Sequence, residues 1–378
     1  MIISDLPRDL LEEILCRVPA TSLKRLRPSC KRWNSLFHDR RFTRKQFDKA
    51  AKQFLILMLK ESRVCSMSVN LHGVPSVEVT GELSLVDPLS SSYDQFEINQ
   101  VSHYDGLLLC TNEYNTRIVV WNPCTGQTRW IQPCNRCNHY AFGSYQDNKS
   151  HDHSYKILGY GGGFNNKELA VCDINSNSWR TLDITSDGLL QYADYGASLK
   201  GNTYWFASDE EEKQLGMFLV NFDYTTERFG RLHLPYQCPR YETISLSVAS
   251  KDKLSVLLQR EDTSRTEIWV ANQIVETKVV SWSMVLAVDM KPKLNLWDGI
   301  SFLVDEEKKV LVCCDKYFGK DDHKFEGKTL VHIVGEDNEV TEVDFGAVKL
   351  AWPFLFNYVP SLIQIQQAGV GGKRKRDE

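Results

Sequence analysis

Apolar residues in the first fifty positions recur at helical spacing, and from Phe54 onward they fall into short runs of strand type. Leu10, Ile14 and Val18 form one i, i+4 row with Leu11 and Leu15 beside it, while Arg8, Asp9, Glu12, Glu13 and Arg17 take the other side. Pro7 suits the first turn of this helix, where its missing N–H costs nothing. Pro19 stops the helix, and Thr21 or Ser22 is placed to cap a second one carrying Leu23 and Leu26. Pro28 opens a third, on which Cys30, Trp33 and Phe37 share a face. Residues 40–53 read as a further helix, amphipathic and basic, that links to the body.

The body repeats itself. "DGLLLC" (105–110) precedes "RIVVWNPCTGQTRW" (117–130), "YKILGY" (155–160) precedes "ELAVCDINSNSW" (168–179), and "GNTYWFA" (201–207) precedes "GMFLVNFDYTTERF" (216–229). Each unit has two strands, then Asn or Asp followed three residues later by Thr or Ser (Asn122/Thr125, Asp173/Ser176, Asp223/Thr226), then an aromatic (Trp130, Trp179, Phe229). Such a pair closes a tight turn with side-chain hydrogen bonds, and the aromatic anchors the next strand. Looser copies cover 252–282 and 308–345. The runs starting near 106, 155, 201, 252 and 308 are 46 to 56 residues apart, the period of a four-stranded propeller blade. Residues 54–98 supply a sixth, degenerate unit, and "WPFLFNYVPSLIQI" (352–365) is placed to close the ring, which a circular array needs to avoid an open sheet edge. The expected fold is therefore helical at the N-terminus and all-β beyond it, a propeller-like domain of about six blades. Neither a repeating Trp-Asp pair nor a repeating glycine run marks its subtype.

Charge sharpens the division. The net charge of −4 conceals +7 on residues 1–53, +2 on the final "KRKRDE" and about −13 on the body. A nucleic-acid binder more often carries basic charge on its folded body, so nucleic acid is not an expected partner. No apolar run approaches the ~18 residues that span a membrane, and no signal-peptide core follows Met1. The expected location is the cytosol or nucleus, with the 11 cysteines as thiols.

Candidate chemistry is sparse. Cys134-x-x-Cys137 with His139, His151 and His153 holds the ingredients of a Zn²⁺ site, but a single CxxC with irregularly spaced partners reads better as a polar loop. "GYGGGFNN" (159–166) departs from G-x-G-x-x-G at Phe164 and reads as a turn between blade strands. Asn148-Lys149-Ser150 fits a glycosylation triplet that a chain without a secretory signal leaves unused, and "DEEEK" (209–213) and "DEEKK" (305–309) read as solvated loops. No nucleophile elbow, Walker A or metalloprotease motif occurs, so no catalytic residue, metal or cofactor is expected. Lys373, Arg374, Lys375 and Arg376 form a nuclear-import candidate whose plain alternative is a solubilising tail.

The first ~40 residues hold more apolar side chains than three short helices hide, in a unit too small to fold well alone. That surplus packs on the propeller or serves a partner, and the basic spacer and charge change favour the partner. "LPRDLLEEILCRVPATSLKRLRPSCKRWNSLFHDRRF" (6–42) resembles the F-box motif along its length, at Leu6-Pro7, Leu10, Glu13-Ile14-Leu15, Arg17, Pro19, Ser22-Leu23, Arg27, Cys30-Lys31, Trp33, Leu36 and Phe42. The body, with "DGLLLC", "VVWNPCTGQTRWI" and "YVPSLIQI", looks like the F-box-associated domain of plant F-box proteins. The resemblance implies an F-box over 1–44, a basic linker helix over 45–53, the associated domain over 54–365 and a flexible basic tail over 366–378. It also implies a non-catalytic adaptor of a SKP–cullin–F-box ubiquitin ligase, docked to a SKP-type linker through Leu6, Pro7, Leu10, Ile14, Leu15, Pro19, Leu23, Cys30, Lys31 and Trp33, with some of these expected to be internal helix contacts. The β domain would bind a protein substrate. Pro28 departs from the family's usual residue and is expected to tilt the third helix under Trp33. The rival reading is a glycan-binding propeller or a propeller enzyme whose helices are a structural cap, and a third is an F-box protein acting outside a cullin complex.

Overall fold

A computed structural model describes residues 6–71, 75–90, 94–146, 153–161, 168–183, 196–208, 216–236, 241–249, 253–260, 265–275, 279–289, 296, 299–318, 327–348 and 351–365. Among these, four helices precede six four-stranded antiparallel sheets. The helices are α1 (Arg8–Leu15), α2 (Ala20–Leu26), α3 (Lys31–Leu36) and α4 (Arg40–Lys49). The strands of the first sheet are β1 (Leu55–Lys60), β2 (Arg63–Asn70) and β3 (Ser76–Leu83). The second holds β4 (Gln100–Tyr104), β5 (Leu107–Thr111), β6 (Ile118–Asn122) and β7 (Gln127–Ile131). The third is β8 (His139–Gln146), β9 (His153–Tyr160), β10 (Leu169–Asp173) and β11 (Ser178–Thr181). The fourth is β12 (Ala197–Leu199), β13 (Asn202–Ser208), β14 (Met217–Asp223) and β15 (Arg228–Leu232). The fifth is β16 (Tyr241–Ala249), β17 (Lys253–Arg260), β18 (Thr266–Val275) and β19 (Val279–Val288). The sixth is β20 (Ser301–Asp305), β21 (Val310–Phe318), β22 (Gly327–Gly335) and β23 (Val340–Val348).

The last strand, β24 (Phe354–Tyr358), returns to pair with β1 in the order β24-β1-β2-β3. Its register runs from Leu55 opposite Tyr358 to Leu59 opposite Phe354. The ring of six blades is thus closed by the two ends of the β domain. The first strand of each blade, with β24 in that role for the first blade, lines a central channel. Clusters of buried Leu, Ile, Val and aromatic side chains fill the spaces between neighbouring blades.

The repeated turn residues act as their chemistry requires. Asn122 Oδ1 accepts from the N–H groups of Cys124 and Thr125, Asp173 Oδ1 from Asn175, and Asp223 Oδ1 from Thr225. Each turn ends on a residue with positive φ: Gly126, Asn177 and Glu227. Trp130, Trp179 and Phe229 lie half-buried on the outermost strands and pack against the inter-blade cores.

The helices differ from the sequence reading at their ends. Pro19 sits at the N-cap position of α2, so neither Thr21 nor Ser22 caps it, and Thr21 Oγ1 instead donates to Gln53 Oε1 at 2.5 Å. Pro28 lies in a single 3-10 turn, Arg27–Ser29, and α3 begins only after Cys30 becomes extended. Asp39 caps α4 by accepting from the N–H groups of Arg41 and Phe42. This helix stops at Lys49, short of residue 53, because Ala50 turns extended and the chain must enter β1.

Candidate docking and recognition surfaces

The helical unit has its own core, in which Leu11, Leu15, Leu23, Leu36, Phe37 and Phe42 are buried. Two residues of the propeller complete that core: Cys124, from the β6–β7 turn, and Leu362, from the segment after β24. The surplus apolar surface is therefore divided, one share going to the propeller. Residues 359–365 act as mortar between the two parts. Asn122 Nδ2 donates to the carbonyls of Ser361 and Ile363, and Gln364 Nε2 donates to the carbonyl of Phe37 at 3.3 Å. On the other side of the joint, Arg44 Nη1 donates to Asp105 Oδ2 at 2.6 Å, and the Tyr155 hydroxyl donates to the same oxygen at 3.1 Å. Burial pushes the Asp105 carboxyl above its ordinary range, and the Arg44 guanidinium opposes that shift. Phe47 of α4 enters the blade core beside Tyr104, Leu107 and Ile363.

What remains for a partner is a short exposed row. Leu10 is 55% exposed and Ile14 46%, one helical turn apart on α1. Pro7 and Lys31 are exposed as well. Leu6, Pro19, Cys30 and Trp33 are half-buried, and Trp33 Nε1 is buried with no hydrogen-bond partner among the described residues. Leu15 and Leu23, expected on the linker-facing side, lie instead at 4% and 0% exposure inside the helical core, where they pack α1 and α2 together. Glu13 ties α1 to α4 through Lys45 at 2.8 Å and Lys49 at 3.2 Å, which holds its carboxyl down at about 2. Lys373 to Arg376 lie outside the described residues.

The two ends of the channel are unlike. At the helical end, Arg44, Phe47 and Asp48 of α4, with Lys52 and Phe54 after it, line a cavity of about 180 Å³. The waist narrows between Leu246, Val248, Phe354 and Phe356, where His103 stacks on the Phe356 ring at 4.8 Å. The far end opens into a cavity of about 490 Å³ that spans four blades. Its wall carries Trp352, Phe354, Tyr160, Gln100, Thr111 and Asp315. Trp352 is 55% exposed, and the Lys316 ammonium lies 5.2 Å from its ring centroid. A volume of this size falls within the range of ligand pockets.

The cysteine–histidine group does not converge. Cys137 and His139 stand at the start of the β8–β9 pair, whereas His153 pairs with Gln146 at its other end. His139 instead stacks on Tyr160 at 5.6 Å, and burial raises the Cys137 thiol out of the reactive range. Among the described residues no three His, Cys, Asp or Glu side chains are grouped to hold a metal ion. His151, Asn148-Lys149-Ser150, "DEEEK" and most of "GYGGGFNN" fall outside the described residues. In "DEEKK", Asp305 closes the β20–β21 turn by accepting from the N–H groups of Glu307 and Lys308.

Sequence reasoning missed the joint and the cavity. Cys124 and Leu362 are 238 positions apart and carry no shared motif; Arg44 and Asp105 meet across 61. The one signal available was Asp105-Gly106, a hairpin dipeptide whose turn had to lie at one end of a blade. Among known families, the model described as F-box associated beta propeller domain matches residues 55–365, and the one described as F-box domain matches residues 3–45. "Probable F-box protein At5g47300" from Arabidopsis thaliana is 68% identical over 380 residues, covering 100% of this chain and 90% of that protein. "F-box/kelch-repeat protein At3g44120" from the same plant is 48% identical over 390 residues, covering 100% of both chains. "F-box protein ETP2", also from Arabidopsis thaliana, is 48% identical over 389 residues and covers 98% of each.

Proposed function

Since the chain belongs to the plant F-box proteins that carry a C-terminal F-box-associated propeller, we propose that it is a non-catalytic substrate adaptor of a SKP–cullin–F-box ubiquitin ligase. The observation that carries the docking half is the exposed Leu10–Ile14 row on a helical unit that is otherwise packed. Pro7, Lys31 and the half-buried Leu6, Pro19, Cys30 and Trp33 extend this face toward a SKP-type linker. Leu15 and Leu23 support it from within.

The recognition half rests on the asymmetry of the channel. Its helical end, lined by α4, holds a cavity of about 180 Å³, and the larger cavity of about 490 Å³ lies at the other end, away from the proposed linker. A rigid ring then holds the substrate on the side opposite the scaffold, where inter-blade loops supply the contacts. The reading needs no cofactor and expects neither nucleic acid nor membrane as partner. A nuclear or cytosolic location belongs to the same proposal, with the KRKR tail as its import candidate.

Burying Leu10 and Ile14 against a partner is worth about 1.5–3 kcal/mol each, and a carboxylate in either place reverses the sign. Leu10→Asp with Ile14→Asp is therefore expected to weaken co-purification with a SKP-type linker roughly a thousandfold, about 4 kcal/mol. The melting temperature of the chain should stay nearly unchanged, because both side chains are exposed. A wild-type chain that does not bind the linker would sink the adaptor reading and favour the structural-cap alternative.

A further inference from the structure

The far-face cavity carries a carboxylate that has no counter-charge among the described residues. Asp315, on β21, is half-buried in its wall. Among the described residues its carboxylate accepts only the backbone N–H of Lys316, at 2.7 Å, and faces no cation. Lys316 itself follows on the strand, so its side chain leaves on the opposite side of the sheet from Asp315 and lies over Trp352. The other walls of this cavity include Trp352, Phe354, Tyr160, His139 and Gln100.

A half-buried carboxylate without a counter-charge is costly. Proteins keep such groups where a ligand completes them. We propose that the cavity receives a lysine or arginine side chain of the protein substrate, with Asp315 as its counter-charge and Trp352 and Phe354 covering its aliphatic stem. The proposal deepens the adaptor reading and rests on it, since it names the chemical class recognised at the mouth proposed above. The acidic body, near −13 on residues 54–372, is complementary to such a partner at longer range. Burial raises the Asp315 carboxyl, with nothing but its own backbone hydrogen bond opposing the shift, which agrees with a site that lacks its cation. A cavity of about 490 Å³ exceeds one side chain, so two or three flanking residues enter with it.

The test uses the full chain bound to a SKP-type linker and a fluorescein-labelled Gly/Ser peptide with one central arginine. Matched peptides carry lysine or the neutral isostere citrulline at that position. Fluorescence polarisation at ~0.15 M salt should give at least tenfold tighter binding of the arginine or lysine peptide than of the citrulline one. The ratio between the two basic peptides identifies which side chain is preferred. Asp315→Asn should erase the preference, and Glu97→Gln, an exposed carboxylate outside the cavity, should change nothing. Asp315→Ser serves as a second variant if the asparagine form melts early. A citrulline peptide that binds equally, or a preference that survives loss of Asp315, overturns the assignment. In parallel, Trp352→Glu in cells blocked for cullin activation separates the two levels. If it releases proteins captured by the wild type while Asp315→Asn leaves peptide binding intact, the mouth stands and the cation assignment falls; if it releases none, the mouth itself is wrong.

Discussion

His103 shows how one residue reports its surroundings. It lies on β4 at the waist of the channel, stacked on Phe356, and burial lowers its pKa from 6.5 to about 4. The imidazole is therefore neutral in the folded ring at pH 5, whereas the unfolded chain takes up a proton there. A depressed histidine pKa means that stability is present above pH 6.5 and is lost as the pH falls toward 4. The loss is at most about 3 kcal/mol, and less in so far as channel water reaches the ring. We expect the urea midpoint to drop between pH 7 and pH 4.5, and His103→Gln to flatten that drop relative to the wild type; an unchanged slope would refute the assignment. The sequence shows a histidine in a strand and nothing of this, because the shift arises from side chains on β16 and β24. The exposed side chains of α1 were more legible: Leu10 and Ile14 share a row that helical periodicity alone draws. Periodicity also drew Leu11 and Leu15 beside them, and only packing decided which row turned inward.

At the scale of elements, hairpin chemistry is local and was readable in advance. Asp105 and Gly106 join β4 to β5 with φ of 52° and 73°, as the tight hairpin turn with two left-handed residues requires. The tertiary structure adds a second constraint at the same glycine. A Cβ there would meet the Val359 carbonyl at 2.5 Å and the Ser361 side chain at 2.7 Å, on the segment that leaves the closing strand. The Tyr358 hydroxyl also donates to the Gly106 carbonyl at 3.1 Å. Gly106→Ala should therefore cost more than the ~1 kcal/mol of an unfavourable φ alone, because it also pushes away the strand that closes the ring. Thermal unfolding against Gly126→Ala, whose added Cβ meets nothing within 4 Å at a φ of 78°, separates the two effects. Equal losses at the two sites would show that contact with the closing segment is unimportant. The helix ends were less legible than the strands, since Pro19 and Pro28 mark breaks without saying on which side of the break the helix resumes.

The whole molecule behaves as one body because its two parts share interior. Arg44 and Asp105 form an ion pair across the joint, with the aspartate almost wholly enclosed at 8% side-chain exposure and the arginine at 26%. Removing only the arginine leaves a buried carboxylate uncompensated, at a cost of about 3 kcal/mol for a pair of this kind. Arg44→Ala should lower the melting temperature of the full chain by several degrees, and adding Asp105→Asn should restore part of it. A calorimetric trace in which the wild type melts in two separate steps would contradict the shared core. How the labour is divided was written in the sequence. The helical and strand periods, the blade repeat near 50 residues, the Asn/Asp turns and the ordered F-box positions are all local patterns, set by backbone geometry that each segment obeys on its own. They specify helices followed by a six-bladed ring, and the family with it. Tertiary structure alone decided that Cys124 and Leu362 complete the helical core, that α4 lines one channel mouth, and that Asp315 and Trp352 meet at one cavity from separate blades. Those facts depend on which distant segments ring closure brings together, and no period along the chain encodes a meeting of residues one or two hundred positions apart.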